Sequence, residues 1–409
     1  MTSIAQGINK TVAYKKQTGL GVAASGAGGT LLRRVTTNIN LTKDSYENNE
    51  IVSHQQSTGS TYGIAKSGGT LNGLLSGTTW MPFLGSLVRK DPLATAAITA
   101  ASLTIAASGS NYTITRAAGS WLTDGVKVGD VTQLSVGALN ANNLAKNVVV
   151  VSMTATVLTV NVLLSGGALT AEGPITGCTV TVMGKKSWVP TTGHTSDYYT
   201  FEDYYQDIST RSHLWPDIQI GSVDLGMPAT GNVTANFALV GLGGKTESGV
   251  QVLTTPTAAP TTAVFGSVAG AAYVSGVRYS TITSFSLKID GSVAQGEATI
   301  GSNTIADVQR GRIKVSGSFS YLYDSDTIGA NFLNETTVSL ALILADARTA
   351  AANTMAFVMP EVKLFSNDVD DGEKQLIRTV NFTAEIPTTG GAALANLQTI
   401  ISIQDSQAA

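Results

Sequence analysis

Val35-Thr36-Thr37-Asn38-Ile39-Asn40-Leu41-Thr42 places Val35, Thr37, Ile39 and Leu41 on one side of an extended chain and Thr36, Asn38, Asn40 and Thr42 on the other. A period of two, with one apolar face and one polar but uncharged face, predicts a half-buried β-strand. The pattern returns in the second half, where Phe285, Leu287 and Ile289 alternate with Ser284, Ser286, Lys288 and Asp290. Around both strands the likeness extends further. Ile39-Asn-Leu41 leads through Asn49-Glu50 to Leu71-Asn72-Gly73, and Phe285-Ser-Leu287 leads through Gly296-Glu297 to Val315-Ser316-Gly317. A second pair follows in the same order: Pro216-Asp217-Ile218 to Ala235-Asn236-Phe237, and Pro360-Glu361-Val362 to Val380-Asn381-Phe382. Two matches in one order predict a β domain duplicated within the chain.

Composition agrees with a β protein. Only 13% of the 409 residues are charged, and Gly numbers 43, a bias toward strands and turns over long surface helices. The length allows two or three domains. A formal net charge of -3 supplies no bulk attraction to nucleic acid. The single cysteine, Cys178, permits no internal disulfide and reads as a small buried strand residue. No apolar core of sufficient length follows Met1, and the most apolar stretch, Leu93 to Ala107, is too short and too interrupted to span a bilayer. A chain made soluble in a reducing cytoplasm is the expectation.

Along the chain, residues 1–30 are rich in Gly, Ala, Ser and Thr and read as a flexible arm. Residues 31–95 and 188–244 form a first domain. Between them, 96–187 has no counterpart in the second half and shows its own short strands, as an inserted all-β domain looping out of the first. Tyr198 to Ile208 carries Phe201, Tyr204, Tyr205 and Ile208 at helical spacing behind an acidic start, predicting a short amphipathic helix with an equivalent near Ile328 to Leu333. A linker over 245–275 then leads to a second domain over 276–409. The fold class is mainly β: two tandem sandwich or barrel domains, each with a short helix, and a small inserted all-β domain.

Catalytic signals do not emerge. His54, His194 and His213 lie far apart, and no nucleophile elbow, phosphate-cradling loop or dinucleotide fingerprint occurs in its required context. Asn367-Asp368-Val369-Asp370-Asp371-Gly372-Glu373 offers oxygen ligands of the kind calcium takes. Its first-half equivalent, Gly226 to Gly231, lacks those acids, which favours a solvated hairpin tip. No cofactor or metal is expected, and an enzyme is disfavoured.

The run Arg33 to Ile51, followed by His54-Gln55-Gln56, closely resembles the opening of major tail tube proteins of long-tailed bacteriophages. Phe201-Glu-Asp-Tyr-Tyr-Gln-Asp207-Ile208 and Val308-Gln-Arg-Gly311-Arg-Ile-Lys-Val315-Ser-Gly317 look like downstream blocks of the same family. The resemblance implies a structural virion protein whose β domains form sixfold or pseudo-sixfold rings, stacked into a hollow tube through which DNA leaves the head. It implies as partners other copies of the chain, other tail proteins and transiting double-stranded DNA held without specific binding. The inserted segment is similar to the immunoglobulin-like or barrel domains that decorate such tubes. With two tube domains per chain, three chains complete six, so a homotrimeric ring is expected, with the homohexamer as the alternative.

Candidate lumen or ring-contact residues are then Asn38, Asn40, Thr42, Ser284, Ser286 and Asp290, although Lys288 departs from a cation-free lumen. Arg33 and Arg34 could bridge to Asp203 and Asp207 on a neighbouring ring, or be exposed charges at a strand start. Two other classes stay in view. A surface-displayed β-sandwich adhesin predicts a secretion signal or anchor, and a glycan hydrolase predicts a carboxylate pair in an aromatic-lined groove.

Overall fold

In the computed structural model, residues 4–54, 56–163, 167–208, 211–370 and 372–408 are described; Gln55 and Asp371 lie outside them. The first half runs through β1 (Lys10–Lys16), β2 (Thr36–Glu47), β3 (Ser60–Leu74), α1 (Met81–Leu87), the inserted segment, β4 (Lys185–Trp188), β5 (Tyr199–Tyr205), β6 (Arg211–Met227) and β7 (Thr234–Gly241). The second half runs through β8 (Ala271–Val274), β9 (Ile282–Asp290), β10 (Lys314–Leu322), α2 (Thr327–Leu333), β11 (Val338–Ala345), β12 (Thr354–Leu364), β13 (Asp368–Val369), β14 (Ile377–Glu385) and β15 (Ser402–Asp405). The protein is mainly β.

Both halves pair their strands antiparallel in one order. The first reads β1, β5, β6, β7, β3, β2. The second reads β8, β11, β12, β14, β10, β9. Even an irregularity recurs. Opposite Thr200, β6 slips register across Pro216-Asp217, and opposite Ser339, β12 slips across Pro360-Glu361. Proline has no N–H to give the ladder, so a bulge is where a sheet tolerates it.

Glycine fixes the alignment of the other strands. A Cβ on Gly69 would run into the carbonyl oxygen of Asn38, and one on Gly317 into that of Ser286. Gly69 therefore corresponds to Gly317 and Ile39 to Leu287, an even-numbered slide from the offsets read in the sequence. An even slide leaves every side chain on its own face, so the face assignment is unaffected.

The halves meet edge to edge where β6 pairs with β9, from Ser222 with Asp290 to Met227 with Phe285. An apolar row crosses this joint without a break: Leu71, Phe237, Val223, Ile289, Val315 and Ala384 stand side by side on successive strands. Beneath it lies one aromatic-rich core. Trp80 stacks on Phe237 at 5.2 Å in the first half, and Phe285 on Phe319 at 6.1 Å in the second.

Three expectations need correction. Residues 198–208 do not form a helix: β5 occupies 199–205, and the helix equivalent to α2 is α1. Tyr199 and Phe201 enter the core while Thr200 and Glu202, on the opposite face, are also buried. A strand covered on both faces loses its alternation, which let the aromatic spacing imitate a helix. The expected arm is ordered over residues 10–16, because β1 completes the edge of β5 and buries Val12 and Ala13. The expected linker contributes a strand, Thr246–Ser248, paired with β6, a fully buried Leu253, and β8.

The inserted segment forms its own eight-stranded sheet around Trp121, Ile114 and Val160. It does not loop out freely. Val131, Val149 and Leu163 pack against Ala271, Tyr273, Ile343, Ala356 and Val358 on the outer face of β8, β11 and β12. The opposite face of those strands carries Ala272, Leu342, Met355 and Phe357 into the main core. Polar contacts close the seam. Gln404 receives the Val131 N–H and donates to the Val131 and Met183 carbonyls, and Lys127 Nζ donates to the carbonyls of Gly391 and Leu394.

Candidate functional site

The face of the joined sheet turned away from the core is polar along its length. Thr36, Asn72, Asn236, Asp224, Lys288, Ser316 and Thr383 stand in one cross-strand row. Strand alternation puts them there, since each of them after Thr36 neighbours an apolar residue that enters the core. Of the lumen candidates, Asn38, Asn40, Thr42 and Ser286 are exposed on this face, and Ser284 and Asp290 are partly buried. Asn40 donates to Asn38 Oδ1, and Ser286 shares a hydrogen bond with Ser318.

Three cations on this face stand beside carboxylates, while Lys314, exposed opposite Asp290, forms no ion pair among the described residues. Lys288 Nζ lies 3.9 Å from Asp224 Oδ1 across the joint between the halves, which resolves the departure it presented in the sequence. Lys66 is 2.9 Å from Asp44, and Lys363 is 2.9 Å from Glu385. Exposed pairs of this kind add little stability, but they cancel positive charge locally. Asp224 escaped the sequence reading because nothing in the chain order announces that it faces Lys288.

The four candidates for inter-ring contact have partners within the chain. Arg33 donates to the carbonyls of Pro260 and Thr262, and Arg34 to that of Lys10. Burial pulls the Arg34 guanidinium below its ordinary pKa, against the opposing influence of Asp203. Asp203 is buried, 2.9 Å from Lys10 Nζ and within hydrogen-bond reach of Trp215 Nε1. Asp207, at the surface, receives the Gln6 N–H at 2.6 Å.

The joint is locked on its other flank by groups the sequence did not single out. Arg89 donates to the carbonyls of Gly291 and Gly311, and Gln295 to those of Ser67 and Gly241. Tyr198 bonds Asp307 and receives Arg310. A cleft of about 670 Å³ lined by Lys127, Asp130, Lys186 and Trp188 lies at the seam of the insert, where Lys186 is paired with Asp130 and Lys127 with backbone carbonyls. Among the described residues no group of three His, Cys, Asp or Glu could hold a metal ion, and no helix is long and apolar enough to cross a membrane.

A family model described as phage tail tube protein matches residues 7–386. The chain belongs to the phage tail tube protein family. No curated protein matches it. A phage tail tube protein is a structural component of the virion tail, associating with further copies of itself and with other tail proteins. In this tail tube protein the polar face, the apolar row behind it and the edge-to-edge joint belong to a structural component of the tail.

Proposed function

We propose that each chain supplies two adjacent segments of a tube wall, that three chains close into a ring of pseudo-sixfold symmetry, and that stacked rings form the tail conduit for DNA ejection of a siphovirus-like phage. The observation that carries this reading is the recurrence of one pairing order in both halves, joined side by side through β6 and β9. Such a pair of segments is what a duplicated tube domain would leave in one chain. A ring also gives every open edge a partner, which a lone chain lacks.

The polar face suits the lumen. Double-stranded DNA is held largely through cations that displace its counterions, so a wall whose Lys66, Lys288 and Lys363 sit beside carboxylates offers little retention. The insert, docked on the outer face of β8, β11 and β12, would then decorate the outside. Native mass measurement or microscopy of purified rings should count three chains per ring. Six chains per ring would refute the trimer, and a purified protein that stays as dispersed monomers would refute the ring.

A further inference from the structure

The joint inside one chain specifies the joint between chains. Resting on the ring reading above, we infer that the free edge of β2 in one chain pairs antiparallel with the edge running from the end of β12 through β13 in the next, with Asn40 opposite Asp368 and Ile39 opposite Val369.

The argument is one of equivalence. Inside the chain, β6 offers Ser222, Val223, Asp224, Leu225 and Gly226 to Asp290, Ile289, Lys288, Leu287 and Ser286 of β9. The proline bulges align Ile218 with Val362, since these face Tyr199 and Val338 just beyond the slip. Counting onward aligns Ser222 with Ser366, Asp224 with Asp368 and Leu225 with Val369. The next strand gives an independent check. Asp224 and Leu225 face Asn236 and Ala235, whereas Asp368 and Val369 face Thr379 and Arg378, in the same sense and after a matching slip in register. On the other side of the joint, the glycine equivalence carries Leu287 to Ile39, Lys288 to Asn40 and Asp290 to Thr42.

Both strands so identified lack the neighbour their equivalents have. Among the described residues β2 pairs only with β3, and β13 only with β14. On the second of these edges the apolar residues are uncovered to match, whereas Ile39 of β2 is already buried in the core. Val369 is 53% exposed and Phe365 61%, while Leu225, the equivalent of Val369, is 1% exposed where β9 covers it. A second copy supplies the occupant, because the strand each edge lacks is the strand the other end of the chain presents. Transferring the register sets Ser366 against Thr42, Asn367 against Leu41, Asp368 against Asn40, Val369 against Ile39 and Asp370 against Asn38.

A cross-link reads this register directly. Facing residues of an antiparallel pair lie about 4.5–5.5 Å apart at Cα, within disulfide range, and a four-residue slip does not. The buried Cys178 is not positioned to compete. Asn40→Cys combined with Asp368→Cys, assembled and mildly oxidised, should convert to a covalent trimer on a non-reducing gel. Thr36→Cys with Asp368→Cys should stay monomeric. Assembled rings in which the first pair fails to link, or the second links instead, would overturn the register while leaving the ring itself standing. Wild-type chains that form no rings would overturn both. Should the double variant not fold, hydrogen exchange on wild-type protein decides: amides in residues 36–43 and 366–370 should gain protection on assembly, and equal exchange in both states would overturn the joint.

Discussion

Separating Asp130 from Lys186 should cost the chain far more than breaking any of its surface ion pairs. Asp130 stands at the base of the insert, Lys186 on β4 where the chain returns to the body, and their side chains are 2% and 8% exposed. Asp130 also receives the Lys127 N–H at 2.9 Å, so its second oxygen is engaged as well. Removing one member of a buried pair strands the other without water, a loss of about 3–5 kcal/mol. Lys186→Met and Asp130→Asn should each destabilise by about that amount, whereas the double variant, which strands no charge, should recover most of it. Urea unfolding of the unassembled chains, followed by tryptophan fluorescence, measures the cycle. Single variants that lose less than about 1 kcal/mol, or a double variant whose loss equals the sum of the singles, would refute a buried, mutually dependent pair.

Cys178 should be inert in the folded chain: burial first, and Glu172 second, push its thiol up to about 11. Alkylation between pH 7 and 9 should therefore be slow and still climbing about tenfold per pH unit at pH 9, and fast native labelling that levels off above about pH 8.5, as for an unshifted thiol, would contradict this. Gly317→Ala should lower the thermal midpoint by several degrees, since overpacking costs about 1–3 kcal/mol and the new methyl meets the Ser286 carbonyl and the Phe382 ring. Calorimetry showing an unchanged midpoint would remove the close approach on which the alignment of β9 with β2 rests.

How far the sequence could be read depended on how each strand is covered. β2 and β9 have one polar face, and their alternation announced both the strands and their faces. β5 is buried on both sides over residues 199–203, so polar positions did not mark an outer face and the spacing of Phe201, Tyr204, Tyr205 and Ile208 imitated a helix. The same condition hid the docking of the insert. Val338–Ala345 is apolar on both faces because one meets the main core and the other meets Val131 and Val149, yet a run of that kind is equally consistent with a strand in the middle of a single core. Repeats were visible as motifs, but their true offset was not, because Gly69 and Gly317 are required by a carbonyl on the neighbouring strand and not by anything adjacent in the chain.

The insert leaves the chain from the first half and rests on the second, with Lys127 gripping residues 391 and 394 and Gln404 holding Val131. It is thus a cross-brace over the half-to-half boundary, supplementing a continuous backbone that already ties the two together. A boundary between separate chains has no backbone running through it. In a three-chain ring, seams of two grades would alternate around the circumference, one reinforced and the next relying on strand pairing alone. Under pulling, heat or denaturant such a cylinder would crack along three lines, releasing intact double staves before any single stave came apart.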